Sequence, residues 1–136
     1  MKLRLLDTNA VISLVTRRSD ALLRRVEASE PGSLAVSSVV AHELYFGAYR
    51  SEKIAFNLET LRLLFADLGV LDFDREDARV AGEIRAELKR RGALIGAYDL
   101  LIAGQAKARG HILITNNTGE FSRIPGLQLE DWTIDR

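Results

Sequence analysis

Cysteine is absent from the 136 residues, which excludes disulfides and thiolate metal centres together. Proline occurs only at Pro31 and Pro125. No proline-rich linker divides the chain, so residues 1–136 read as one domain, long enough for a real core. No apolar run approaches the roughly 18–20 residues that a membrane-spanning helix needs. Asp7 interrupts the N-terminal apolar run too early for a secretory leader, and the expected location is cytoplasmic. Charge of one sign is also missing: 19 Lys and Arg balance 19 Asp and Glu. That balance removes a whole-molecule electrostatic grip on nucleic acid. Only local basic groups remain, at Arg17-Arg18, Arg24-Arg25, Lys89-Arg90-Arg91 and Lys107 with Arg109. His42 and His111 lack the spacing of a zinc site and read as structural or solvent-facing.

What is present is an alternation of short apolar runs with helical periodicity. Leu3 to Leu6 reads as a buried strand, followed by a helix through Ala10 to Val15. Leu22, Leu23 and Val26 stripe a second helix ended by Glu30-Pro31-Gly32, and Ser33 to Val36 is a brief strand before a helix carrying Glu43. Ile54, Leu58, Leu61, Phe65 and Leu68 recur at helical spacing, with Gly69 as the expected stop and Val70 to Phe73 as the next strand. Val80, Ile84 and Leu88 mark a helix stopped by Gly92. A further helix holds Asp99 and runs to Arg109-Gly110, and His111 to Thr115 reads as a strand. Strands alternating with helices predict an α/β fold with a parallel sheet, whose ligands sit beyond the carboxyl ends of the strands.

Four carboxylates stand in unfavourable company. Asp7 closes Leu3-Arg4-Leu5-Leu6, and at a strand–helix junction it can face the crevice while Thr8 or Asn9 caps the helix. Glu43 has Val39, Val40, Phe46 and Gly47 at its helical neighbour positions, and Val40 cannot complete a capping box with it. Asp99 would complement the dipole of a helix starting near Gly96 or Ala97. Its neighbours Ile95, Ile102 and Ala103 are apolar, and Leu94 to Gly104 reads as buried. Glu120 follows a strand in the polar loop Asn116-Asn117-Thr118-Gly119-Glu120. Taken singly, each acid also fits a cap, a dipole partner or an exposed loop. Their shared placement is the signal, because ionised carboxylates in apolar surroundings need a counter-charge. An all-oxygen ligand set suits Mg²⁺, or Mn²⁺, and a hard cation with open positions suits phosphate chemistry by activated water.

These residues resemble the PIN-domain ribonucleases of the VapC toxin group. The resemblance runs in order through Leu6-Asp7-Thr8-Asn9, His42-Glu43-Leu44-Tyr45-Phe46-Gly47-Ala48, Ile95 to Ala103, Thr115 to Phe121, and the tail from Arg123 through Trp132. It implies a three-layer α/β/α fold with a central, mostly parallel sheet, and Asp7, Glu43, Asp99 and Glu120 as catalytic acids. Asp7 and Asp99 would be the metal ligands, with Thr8, Asn9, Thr115, Asn116 and Asn117 in support. It further implies Mg²⁺-dependent cutting of RNA, of a tRNA and in the nearest subgroup the initiator tRNA anticodon region. A VapB-type antitoxin partner that carries the DNA binding, and a toxin homodimer, also follow. Leu94 and Gly119 depart from the pattern, where relatives often have Pro and Arg, and neither removes a ligand.

Three rivals weigh against this reading. An aspartate-nucleophile phosphatase needs an acid where Asn9 stands, and a phospho-acceptor domain needs a lysine near Ile114 to Asn117. The third is an acidic-pocket module that binds metal or a partner without cutting, in the limit a PIN-like scaffold that has lost activity and only binds a partner. For that module, keeping the acids in apolar surroundings would be a folding cost without a return.

Overall fold

In a computed structural model, which describes residues 2–134, the elements follow as β1 (Arg4–Leu6), α1 (Thr8–Val15), α2 (Asp20–Glu27), β2 (Leu34–Ser37), α3 (Ser38–Tyr49) and α4 (Ile54–Asp67). They continue as β3 (Gly69–Leu71), α5 (Arg75–Arg90), α6 (Ala97–Arg109), β4 (Ile112–Ile114), α7 (Thr118–Phe121) and β5 (Leu129–Glu130). The five strands form one sheet in the order β3-β2-β1-β4-β5. Every pairing is parallel, so the expected mostly parallel sheet is all-parallel. Leu5, Leu6, Val36, Leu113 and Ile114 are essentially inaccessible, as expected of strands covered on both faces.

The strand order fixes where a ligand can enter. From β1 the chain adds β2 and β3 on one side, then crosses to add β4 and β5 on the other. β1 and β4 thus flank a switch point, and their carboxyl ends open into the crevice that such sheets use. The register Leu6↔Ile114 brings the two ends level. The Asp7 amide donating to the Ile114 carbonyl (3.1 Å) carries the pairing one residue further.

Several local expectations are corrected. α4 ends at Leu68 in an extended conformation (φ −96°, ψ 126°), and Gly69 is the first residue of β3 rather than a helix stop. A Cβ added there would make only an ordinary contact with the Ala35 Cβ, so the strand does not require glycine at this position. The β3 strand closes at Leu71, so Asp72 and Phe73 lie outside it. Leu94, Gly96, Ala97 and Tyr98 are exposed, so the Leu94 to Gly104 segment is buried only from Leu100 onward, apart from Ile95. Nothing in the sequence analysis anticipated β5 or α7. The α5–α6 pair packs most closely at Gly104, where an added Cβ would lie 2.5 Å from the Ala81 Cβ. Only glycine fits there.

Candidate active site

Asp7 is set by the first junction of the fold. It directly follows β1 and is itself the N-cap of α1: its Oδ1 accepts from the Ala10 amide at 2.8 Å. The cap therefore belongs to Asp7 and not to Thr8 or Asn9. The side chain is 3% exposed. Burial pushes its pKa up, and Glu43 and Asp131 push the same way, while hydrogen bonds from Thr115 and Ala10 pull it down; the net shift is upward.

Glu43 and Asp99 come from facing helices. Glu43 sits half-buried midway along α3, and its Oε1 accepts from the Thr8 hydroxyl at 2.6 Å. The apolar neighbours of Glu43 thus signalled a carboxylate turned toward α1. Asp99 lies in the first turn of α6, after the N-cap Gly96. Its carboxyl is raised to about 6, first by burial and then by Asp7, Glu120 and Glu43 in that order. None of these influences is a compensating hydrogen bond or cation. The acids that the sequence singled out therefore share one electrostatic environment.

Glu120 arrives by α7. The expected polar loop is a one-turn helix, and Glu120 Oε2 accepts from Asn117 Nδ2 at 2.8 Å while the Asn117 amide donates to Thr115 Oγ1 at 2.9 Å. Thr8, Thr115 and Asn117 thus each hold an acid or the loop that carries one. Asn9 and Asn116 are exposed, and among the described residues neither is tied to a carboxylate. Asp131, just beyond β5, is an acid whose sequence context did not mark it as part of the site. It is close enough to raise Asp7, and its Oδ1 accepts from the Thr133 amide at 2.9 Å. Its one signal was its place in the matching tail segment.

The donors are oxygen only, and the two carboxyls that are pushed up, Asp7 and Asp99, have no cation partner among the described residues, which fits a hard divalent ion. Among the described residues no group of three or more His, Cys, Asp or Glu closes to metal-holding spacing. His42 and His111 stand apart from this donor set: His42 is exposed and bonded to Tyr98, and burial together with Arg109 pushes His111 down.

The PIN domain model matches residues 4–127. The chain is 40% identical over 129 residues to the tRNA(fMet)-specific endonuclease VapC of Shigella flexneri, covering 95% of this chain and 97% of that protein. It is 39% identical to Ribonuclease VapC2 of Haemophilus influenzae, over 94% and 96% of the two chains. Among solved structures, DNA-bound VapBC from Salmonella typhimurium superposes with a TM-score of 0.91 at 39% identity, over 97% of this chain and 99% of that one. VapBC2 from Rickettsia felis bound to a promoter DNA fragment gives 0.89 at 36% identity, over 96% and 98%.

Proposed function

The chain belongs to the PIN-domain family, and on that premise we propose that it is the ribonuclease toxin of a VapBC-type pair, cutting a tRNA with Mg²⁺ at the Asp7–Asp99 site. The observation that carries this reading is Asp99, half-buried beside three other acids and held near 6 by burial and by them, with no cation among those influences. A structural cluster would be neutralised by the protein; a cation site is left for the cation. The 40% identity to a tRNA(fMet)-specific endonuclease supports initiator tRNA as the substrate, and unpaired anticodon-loop nucleotides can enter such a crevice where duplex cannot.

In this proposal Asp7 and Asp99 hold the ion. A divalent cation bound there supplies Lewis-acid chemistry, neutralising charge on the phosphodiester and making water more acidic. Glu43, fixed through Oε1 by Thr8, has Oε2 left to orient the attacking water and accept its proton. Glu120, held by Asn117, adds negative charge that acts on Asp99. Cleavage leaves 5′-phosphate and 3′-hydroxyl ends. Mn²⁺ meets the same oxygen requirement and should substitute.

The partners follow from surface and similarity. Phe46 and Tyr49 on α3 and Phe56 and Leu63 on α4 are exposed, an apolar surface suited to a protein partner. A VapB-type antitoxin, which would carry the DNA contact, and a second copy of the toxin share that requirement. No helix among the described residues is long and apolar enough to cross a membrane, and we place the protein in the cytoplasm with its tRNA substrate.

The test is digestion of total bacterial RNA by antitoxin-free protein with Mg²⁺ or EDTA, with the new 5′ ends mapped. Discrete Mg²⁺-dependent cuts in one tRNA that vanish with Asp7→Asn support the proposal. Folded protein that binds metal and cuts nothing would favour the partner-binding module.

A further inference from the structure

Phosphate is the wrong handle for RNA at this site. The acids that surround the crevice repel a phosphodiester, and the chain has no net charge with which to draw the strand in. A bound ion offsets part of that repulsion at one phosphate only. The nucleotides on either side need an uncharged attraction, and bases supply one through their faces.

His42 and Tyr98 provide a surface of that kind on the rim. His42 immediately precedes Glu43 on α3, and Tyr98 immediately precedes Asp99 in the first turn of α6. The two side chains meet across the helices: His42 Nε2 lies 3.3 Å from the Tyr98 hydroxyl, and the ring centroids are 5.7 Å apart with planes tilted by 48°. Each acid is thus immediately preceded by an aromatic residue, and the two rings brace one another. Tyr98 is 46% exposed and His42 is exposed as well, so the pair buries little for the core. The tilt makes an open angle between two exposed rings rather than a closed stack.

We propose that the His42–Tyr98 pair is a base-stacking platform that positions the unpaired nucleotide beside the scissile phosphate and so sets where the RNA is cut. This rests on the nuclease reading above. The pair are positioning residues. Stacking holds the base, the hydrogen bond keeps the rings in place, and Glu43 and Asp99 then meet a phosphate whose register the base has fixed. A purine offers the larger face and should be preferred there.

The test measures cleavage of the target tRNA and binding of its anticodon stem-loop carrying 2-aminopurine at successive loop positions. With the Tyr98→Ala variant the KM is expected to rise about tenfold, the scale of one lost base stack, with a much smaller change in kcat and additional, misplaced cuts. The Tyr98→Phe variant should recover most of the KM, since it keeps the ring and loses only the bond to His42. In Asp7→Asn protein, one loop position should be quenched on binding, and Tyr98→Ala should abolish that quenching. If wild-type protein cuts but Tyr98→Ala and His42→Ala keep its KM, its cut sites and its quenching, the platform is overturned while the nuclease stands. If those variants weaken only the antitoxin's binding, the surface belongs to the protein partner and the proposal also fails. Wild-type protein that cuts no RNA with Mg²⁺ or Mn²⁺ overturns the underlying reading instead.

Discussion

Two acidic clusters in this molecule are built from the same residue types and treated oppositely. Asp72, Asp74 and Asp77 gather at the start of α5, where Asp77 is 1% exposed. Arg109 donates to both of its carboxylate oxygens, at 3.2 and 2.8 Å, and to the Asp72 carbonyl at 2.6 Å. Asp74 and Asp77 also cap each other's backbone amides at 2.9 Å in a capping box. Asp74 is accordingly held below the usual carboxylate range, first by the Asp77 amide. Asp7 is almost as inaccessible at 3%, yet it and Asp99 are pushed up rather than down. Burial of an acid is therefore not the mark of a site. Burial without a protein cation is what sets the proposed site apart.

The difference predicts how each cluster breaks. Asp7→Asn keeps an oxygen to cap Ala10 and removes one charge from the crevice. RNA cleavage should fall at least about a thousandfold, comparable to losing a central electrostatic element, while metal-free thermal stability stays level or rises. Arg109→Ala does the reverse. It leaves Asp77 buried without its partner and should cost about 3 kcal/mol in a denaturant titration, with cleavage by the remaining folded protein little changed.

Acid separates the two clusters as well. Asp99 has a folded value of about 6 against an ordinary 3.8, so between those values the folded protein binds more protons than the unfolded chain. Without metal, its contribution makes stability fall as pH rises from about 4 to about 6, and Mg²⁺ above that window should restore it. Asp74, held low, contributes stability that is present above its ordinary value and lost on further acidification. Thermal melts of wild-type protein and of Asp99→Asn across this range, with and without Mg²⁺, read both arms. The smallest expected effect is within the site: Glu120→Ala should retain more activity than Glu43→Ala. Glu43 is anchored by Thr8, the residue that follows Asp7, whereas Glu120 is carried by the four-residue α7. The opposite order in single-turnover cleavage would exchange their roles.

The sequence showed Asp7, Glu43 and Asp99 because each interrupts an apolar pattern, and local pattern is what a linear reading detects. It could not show their company, since the contact between Thr8 and Glu43 spans 35 residues. The four-residue α7 and the two-residue β5 were invisible for a related reason. Neither is long enough for a period, and β5 exists only through pairing with β4, as when the Thr115 amide donates to the Glu130 carbonyl at 3.0 Å. Asp131 was hidden with it. Arg109 looked like one more surface cation at a helix end, and only the antiparallel approach of α5 and α6 around Gly104 reveals its pairing with Asp77. The exposed first turn of α6 misled for the opposite reason: its apolar residues, Ala97 and Tyr98, are exposed rather than packed into the core.

The most direct measurement is an NMR titration of the Asp99 carboxyl in metal-free protein, repeated with saturating Mg²⁺. An uncompensated cation site predicts a midpoint near 6 that drops into or below the ordinary carboxylate range when the ion binds. A midpoint near 4 in metal-free protein, unmoved by Mg²⁺, would contradict it.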